Sequence, residues 1–226
     1  MWALADNSNF TNFQPHKKMK IRTDVSKSYH AKSVEEQQEA YDSWASNYEA
    51  DLCAMGYRIP SMIASVFVKH VPIETSPILD AGCGGGIQSE PLAMLGYGPI
   101  VGIDLSEGML EIAESKGFYS DLQQATLGET LNFPDNHFGA IVSAGTITPK
   151  HAPAHSFKEL VRIAKTDALI IFSLRDDSFQ EPEYPAMLEE LENQGKWESV
   201  FTSDNFYSMP YGEPEVTHRI HVYRVK

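Results

Sequence analysis

Short apolar runs alternate with helical patterns along most of the chain. Five runs have the composition of buried strands, at residues 77–80, 99–105, 122–127, 140–145 and 169–174. Helical periodicity separates several of them, at residues 88–95, 107–116 and 154–165. Alternation of this kind predicts a parallel sheet with right-handed crossovers and helices on both faces.

Two further helical patterns precede this region, at residues 34–55 and 57–70. In the first, large apolar side chains recur at i, i+3, i+7 and i+11 and therefore share one face. These side chains are Tyr41, Trp44, Tyr48 and Leu52. Residues 1–33 are polar and have no sustained periodicity, so we expect a flexible N-terminal tail.

A helix and two strands are predicted after the alternating region. The helix covers residues 185–194, and residues 197–201 and 218–225 have the mixed alternation of an antiparallel pair at a sheet edge. Adding this pair gives an α/β fold with a doubly wound, seven-stranded, mostly parallel sheet whose last strand is antiparallel. Residues 203–216, rich in aromatic side chains, are predicted to be a loop beside the site.

Chain length and charge narrow the class of protein. The 226 residues suit one domain, which we place at 34–226, with a helical lid at 34–70, a core at 77–175 and a C-terminal helix and strand pair at 176–226. The net charge of −13 disfavours nucleic acid and anionic membranes as partners. Two cysteines cannot form a disulfide framework, and neither a membrane span nor a signal peptide is evident. We therefore expect a cytoplasmic protein.

A glycine-rich segment follows the first predicted strand. Residues 78–86 are Ile-Leu-Asp-Ala-Gly-Cys-Gly-Gly-Gly, so the strand ends in Asp80 and enters a loop that lets a ligand lie against backbone N–H groups. The dinucleotide fingerprint G-x-G-x-x-G fails because Ile87 stands at its last glycine. Asp80 would repel a pyrophosphate and attract an ammonium or sulfonium group. S-adenosylmethionine has that charge pattern and no phosphate.

A second carboxylate ends the next predicted strand. Asp104 follows the glycine loop by about twenty residues, where an acid is placed to accept hydrogen bonds from both ribose hydroxyls of a nucleoside. Ser106 then caps the helix at residues 107–116. The acids at the two strand ends, Asp80 and Asp104, together predict a site for a positively charged nucleoside.

These motifs resemble those of class I S-adenosylmethionine-dependent methyltransferases. Residues 78–86 match the first motif of that family, and residues 102–110, Gly-Ile-Asp-Leu-Ser-Glu-Gly-Met-Leu, match the second. Residues 41–48 resemble its Y-D-x-W-A-x-x-Y lid segment. With Met-Gly-Tyr-Arg at 55–58, the layout is similar to methyltransferase-like proteins of the Williams–Beuren syndrome chromosome region type. The resemblance implies a Rossmann-like methyltransferase fold, S-adenosylmethionine as the cofactor and methyl transfer as the activity.

The resemblance also implies which residues hold the cofactor. In the family the lid covers the cofactor, the glycine loop cradles its methionyl part, and residues after the second acid line the adenine. An aromatic lid near a sulfonium also gains cation–π attraction of about 1 kcal/mol. The expected cofactor-binding residues are Tyr41, Trp44, Tyr48, Asp80, Gly82, Cys83, Gly84, Asp104, Leu105, Met109, Thr126, Leu127, Ser143, Ala144 and Gly145. No metal is expected.

The acceptor side of the site is less defined. In the family it follows the fourth strand, here at residues 146–151, and the Asn-Pro-Pro-Tyr type of motif used on amide and amino groups is absent. The expected acceptor-binding residues are Thr146, Thr148, Arg175, Tyr207 and Tyr211. His151 is the favoured general base, with His155, His218 and His221 as alternatives. We expect a small molecule or a short protein segment as the acceptor.

Three departures from the family pattern leave an alternative open. Thr126 stands where the family usually has an acid for the adenine amino group, Gly139 replaces an Asp, and residues 166–168 replace Pro-Gly-Gly. A protein that binds or senses S-adenosylmethionine without transferring its methyl group therefore remains the second hypothesis. A nicotinamide-dependent oxidoreductase is disfavoured by Asp80 and by the glycine spacing.

Overall fold

The strands of the protein lie in one mixed sheet. The structure, a computed structural model, describes residues 33–148, 151–175 and 182–226. In these ranges the sheet has eight strands. They are β1 (Ile78–Ala81), β2 (Ile100–Asp104), β3 (Tyr119–Gln124), β4 (Phe138–Ser143), β5 (Ala164–Arg175), β6 (Trp197–Thr202), β7 (Phe206–Met209) and β8 (Glu213–Val225).

Two helices precede β1, and single helices follow β1, β2 and β4, whereas β4 follows β3 directly. The helices are α1 (Val34–Met55), α2 (Ile59–His70), α3 (Glu90–Met94), α4 (Glu107–Ser115), α5 (Ser156–Ile163) and α6 (Glu183–Asn193). The predicted tail lies outside the described residues, except for Ser33, which caps α1 by accepting a hydrogen bond from the Glu36 N–H at 3.2 Å. Within the described residues, no helix is both long and apolar enough to cross a membrane.

The order of the strands creates the crevice in which a site is expected. The sheet runs β3-β2-β1-β4-β5-β8-β6, and β7 pairs with β8. The first five strands are parallel, whereas β8 is antiparallel to β5, β6 and β7. From β1 the chain continues to β2 and β3 on one side, and it then crosses to β4 and β5 on the other side of β1. Because the direction of the crossovers reverses at β1, a crevice opens at the carboxyl ends of β1, β2 and β4.

Helices cover both faces of the sheet, so the central strands are apolar on both sides. Leu79 and Ile141 point into a core with α5 and α6, whereas their neighbours Ile78 and Val142 point into a second core with α2. All four residues of β1 are buried. This explains why the sequence has continuous apolar runs here instead of alternation.

The doubly wound α/β prediction is confirmed, with one strand more than expected. Residues 203–216, predicted as a loop, contain β7 and the first residues of β8, and Ser208 and Met209 are buried there. The third strand also begins at Tyr119, before the predicted run. Ser120 and Asp121 are exposed at this sheet edge, so their polarity hid the start of the strand.

Candidate functional site

A cavity of about 280 Å³ lies at the carboxyl ends of β1, β2 and β4. This volume is close to the lower end, about 300 Å³, of small-ligand pockets. Eleven of the expected cofactor-binding residues and two of the acceptor-side residues line it. They are Tyr41, Tyr48, Gly82, Gly84, Asp104, Leu105, Met109, Thr126, Leu127, Ala144, Gly145, Thr146 and His151.

The glycine loop presents bare backbone to this cavity. Gly82 and Gly84 have φ angles of +78° and +50°, a left-handed conformation that favours glycine. A Cβ at Gly82 would collide with the Thr146 side chain, whereas a Cβ at Gly84 would meet nothing within 4 Å. Gly82 thus allows the loop after β4 to approach, and Gly84 leaves room for a ligand. This cradle suits the methionyl part of S-adenosylmethionine.

Asp104 joins the glycine loop to the end of β2. One carboxylate oxygen accepts a hydrogen bond from the Gly84 N–H at 2.7 Å, and the other accepts from the Ser106 N–H at 3.0 Å. Burial raises the pKa of Asp104 above its ordinary value, and hydrogen bonds from the backbone oppose that shift. A carboxylate has about four acceptor sites, so Asp104 keeps capacity to accept a hydrogen bond from a ligand in the cavity.

The other strand-end acid, Asp80, is fully buried behind the loop and does not line the cavity. It accepts hydrogen bonds from the Tyr119 hydroxyl at 2.7 Å and from the Gln88 amide at 3.3 Å. Burial raises the pKa of Asp80 to about 6. Burial also raises the pKa of Tyr119, which keeps its hydroxyl protonated as a donor. Any effect of Asp80 on a ligand therefore acts through charge rather than contact.

Cys83 and Ser143 also lie outside the cavity wall. Cys83 is buried, and burial raises the pKa of its thiol well above the ordinary value, so the side chain is a packing group. The Ser143 hydroxyl donates to the Ala81 carbonyl at 2.8 Å, which ties the end of β4 to the end of β1. Their expected roles in cofactor binding stay predictions.

The lid helix α1 brings an aromatic cluster over the site. Tyr41 and Tyr48 line the cavity, and the ring of Trp44 packs against both, with its centroid 4.7 Å from that of Tyr48 and 6.2 Å from that of Tyr41. The Trp44 Nε1–H donates to Asp51 at 2.8 Å. Trp44 is buried, so it supports the two tyrosines from behind.

A carboxylate in the lid motif, Asp42, attaches α1 to the cofactor side. Its Oδ1 accepts hydrogen bonds from the Gly108 N–H at 3.0 Å and from the Ser106 hydroxyl. Ser106 also donates its N–H to Asp104, which holds Gly84. A continuous hydrogen-bonded chain therefore runs from the lid through α4 to the glycine loop. Asp42 lies between Tyr41 and Ser43 in the lid motif, but the motif alone did not predict these contacts.

A second cavity of about 60 Å³ adjoins the first on the lid side. Seven expected site residues line it: Tyr41, Trp44, Tyr48, Gly145, Thr148, His151 and Arg175. His151 lines both cavities, and its Nδ1 lies 2.9 Å from the Thr148 hydroxyl. Of the alternative bases, His155 lines the first cavity and His218 the second.

Two expected acceptor residues, Tyr207 and Tyr211, line neither cavity. The reason is that their segment pairs with β8 instead of folding over the site. Tyr207 is opposite Thr217 in the ladder, and the ring of Tyr211 packs against Gly56, where α1 ends. Nothing in these contacts supports a role in acceptor binding.

Several residues that line the first cavity were not expected there. Gln88, Glu129 and Gln37 bring polar groups, and Glu129 adds a carboxylate close in sequence to Thr126, where the family's acid is missing. Gln88 directly follows the glycine loop, a position that made it detectable. Glu129 lies beyond the predicted strand, in a segment whose path the sequence pattern does not define.

Bare glycine backbone and an acid at the switch point of a doubly wound sheet define a nucleoside-binding α/β protein. The family profile described as a methyltransferase domain matches residues 79–172. The human methyltransferase-like protein 27 is 31% identical over an alignment of 166 positions that covers 71% of this chain and 67% of that protein. The chain therefore belongs to the S-adenosylmethionine-dependent methyltransferase family.

Solved structures share the fold at lower identity. A TehB-like SAM-dependent methyltransferase from Corynebacterium glutamicum is 20% identical, with a TM-score of 0.61 over 83% of this chain and 100% of that chain. Magnesium protoporphyrin IX methyltransferase from Synechocystis PCC 6803, crystallised with SAM, is 17% identical, with a TM-score of 0.59 over 87% of this chain and 86% of that chain. The Rossmann-like methyltransferase fold is thus confirmed.

Proposed function

We propose that this methyltransferase transfers the methyl group of S-adenosylmethionine to a small-molecule acceptor that enters through the second cavity. The observation that supports this most is the continuity of the site. Gly84 and Asp104 line one cavity, and the wall shared with the next cavity includes His151. A cofactor in the first cavity and an acceptor in the second would then meet beside a group able to take a proton.

The cofactor contacts follow from the chemistry of the wall. We assign the two ribose hydroxyls to Asp104, the methionyl part to the Gly84 backbone, and the adenine to the apolar side chains of Leu105, Met109 and Leu127, all of which line the cavity. When bound, S-adenosylmethionine supplies a methyl group that its sulfonium charge has already activated for displacement.

The lid has two tasks in this proposal. Tyr41 and Tyr48 exclude water from the larger cavity, and their rings offer cation–π attraction of about 1 kcal/mol or more to a desolvated sulfonium. Orientation of the two reactants then accounts for most of the acceleration, since the methyl group needs little further activation.

We assign the proton of the acceptor to His151. In the tautomer with the proton on Nδ1, this ring donates to the Thr148 hydroxyl, 2.9 Å away, and Nε2 holds the lone pair that a general base needs. The ring centroid of Tyr41 is 5.9 Å from that of His151, which keeps the base at the lid side of the site. The second lone pair of the Thr148 oxygen remains for the acceptor.

The acceptor and its location are argued from charge and size. A net charge of −13 and an enclosed aromatic lid support a small molecule over a nucleic acid. Free Cys53 and Cys83 are compatible with a reducing compartment, so we retain the cytoplasm as the proposed location.

Turnover with an extracted pool of small metabolites tests the proposal. The protein and S-adenosylmethionine are incubated with the extract, and S-adenosylhomocysteine and methylated products are followed by mass spectrometry. We expect product formation that depends on both protein and extract and that falls at least about tenfold in His151→Ala. Tight cofactor binding without any turnover across extracts would support the non-catalytic alternative instead.

A further inference from the structure

The second cavity differs in charge from the first. Its wall includes Arg175 and His218, which are paired opposite each other where β5 and β8 meet, and His151. Among the residues that the structure describes, none that lines this cavity is an Asp or a Glu. The first cavity, in contrast, has the carboxylates of Asp104 and Glu129 in its wall. Within an acidic protein, the second cavity is therefore a place suited to an anion.

The size of the cavity limits the anion to a compact group. Its volume is about 60 Å³, whereas a cavity that takes up benzene has about 150 Å³. The cavity thus has room for one small functional group, while the remainder of the molecule must lie toward the shared wall of Tyr41, Tyr48, Gly145 and His151, beside the larger cavity.

The shape and chemistry of the wall favour a planar anion. Arg175 carries a planar guanidinium, which binds a carboxylate through two parallel hydrogen bonds. The rest of the wall is mostly aromatic or apolar, from Trp44, Tyr57, Leu52 and Met209. A phosphate group would bring further oxygen atoms against the apolar side chains of this wall, whereas the two oxygens of a carboxylate match the guanidinium, so a carboxylate suits the cavity better.

We propose that the second cavity binds the carboxylate of a small organic acid and that this acid is the methyl acceptor. The inference rests on the proposed function, since it assigns the acceptor side of the same site. The carboxylate only places the acceptor: Arg175 and His218 hold it at one end, and a protonated nucleophile elsewhere in the molecule lies near His151, beside the cofactor cavity. This nucleophile forms the bond to the methyl group as the S–CH3 bond breaks, its proton passes to His151, and S-adenosylhomocysteine is the leaving group.

Fragment binding tests this assignment without requiring the true acceptor. The full chain is saturated with S-adenosylhomocysteine, and binding of propionate and benzoate is compared with binding of propionamide, benzamide and inorganic phosphate by ligand-observed NMR. At least one carboxylate should bind about tenfold or more tightly than its neutral amide, because only the anion pairs with the guanidinium. Phosphate should bind more weakly than that carboxylate.

Substitution of Arg175 links this preference to the cavity. Arg175→Gln should remove the preference for the carboxylate, while affinity for S-adenosylhomocysteine stays within about twofold. The matched control is Arg224→Gln, which changes an arginine at the other end of β8, opposite Leu169, and should leave the preference intact. Should Arg175→Gln not keep the melting temperature of the wild type, Arg175→Lys takes its place, with an expected loss of at least about threefold.

Two kinds of failure are distinguishable. A protein that does not bind S-adenosylhomocysteine at all would contradict the proposed function. A protein that binds it but shows equal affinity for carboxylate and amide, a preference for phosphate, or a preference unaffected by the Arg175 variants would overturn only the carboxylate site.

Discussion

At the scale of single residues, two glycines with similar backbone conformations make it possible to distinguish an effect on ligand binding from an effect on stability. Gly84 and Gly117 have φ angles of +50° and +71°, and a Cβ at either position would meet nothing within 4 Å. Only Gly84 lines the large cavity. An alanine at either position has the same left-handed backbone strain, which costs about 1 kcal/mol. Only an alanine at position 84 would also fill the proposed cradle.

We therefore predict that Gly84→Ala lowers the affinity for S-adenosylhomocysteine at least about tenfold, whereas Gly117→Ala leaves it unchanged. Both variants should lose similar stability, because the strain is the same. Calorimetric titration and thermal unfolding check the two halves of this prediction. Equal affinities in the two variants would show that the Gly84 backbone does not face the cofactor.

The raised pKa of Asp80 leads us to predict that the stability of the protein depends on pH. Burial raises its pKa from 3.8 to about 6 in the folded protein. Between these values the folded state keeps a proton that the unfolded state releases. The free energy of unfolding therefore falls as pH rises from about 4 to about 6, by an amount on the order of 1–3 kcal/mol from this group.

Asp80→Asn should remove this part of the pH dependence. The variant keeps the shape of the side chain but has no proton to lose, so the difference in stability between variant and wild type should grow in favour of the variant from pH 4 to pH 6. Asp104, whose pKa is also raised by burial, titrates in both proteins, and because its charge helps to raise the pKa of Asp80, the difference reports Asp80 together with its coupling to Asp104. Urea unfolding of both proteins at several pH values measures this difference in the free energy of unfolding. A difference that does not vary with pH would mean that Asp80 titrates normally.

At the scale of elements, side-chain contacts attach α1, the proposed lid, to α4. Asp42 accepts hydrogen bonds from Gly108 and Ser106 at the N-terminus of α4, where a carboxylate is also favoured by the helix dipole. A second attachment is the ion pair of Glu49 with Lys116, 2.7 Å long. We expect the position of Tyr41 and Tyr48 over the cavity to depend on these contacts.

Asp42→Ala should loosen the lid and lower the affinity for S-adenosylhomocysteine by up to about thirtyfold, because about two hydrogen bonds of roughly 1 kcal/mol each are lost from the closed position. Calorimetry measures the affinity, and the yield of cleavage in α1 by chymotrypsin, with and without ligand, reports the lid directly, because this helix contains Tyr41, Trp44 and Tyr48. Glu39→Ala, an exposed position on the same helix, is the control and should behave as the wild type. If both variants bind equally well, the lid does not need this attachment.

Some strands and helices were predictable from the sequence, and others were not. The order of strands and helices was predictable, because strands buried on both faces are continuously apolar and the glycine loop marks the first crossover. The edge strand β3 and the added strand β7 were misjudged, since exposed edge residues such as Asp121 do not follow an apolar pattern. Strand-end acids were correctly located in sequence, but burial distinguishes them: Asp104 lines the cavity and Asp80 lies behind it.

For the whole molecule, the main finding is a division of charge between two connected cavities. The acid Asp104 belongs to the one assigned to the cationic cofactor, and Arg175 belongs to the one assigned to the acceptor. The sequence placed both residues at strand ends on the same side of the sheet. It did not show that the cavities share a wall, because that depends on how α1 packs across the site.

The most direct test of this account is calorimetric titration of S-adenosylmethionine into the wild type and into Asp104→Asn. We predict binding of one molecule per chain, weakened on the order of a hundredfold in the variant, since hydrogen bonds from two hydroxyl groups to a carboxylate are replaced by weaker ones to an amide. Asp121→Asn, at the exposed edge of β3, should bind as the wild type. No binding to the wild type, or equal binding to wild type and Asp104→Asn, would contradict the account.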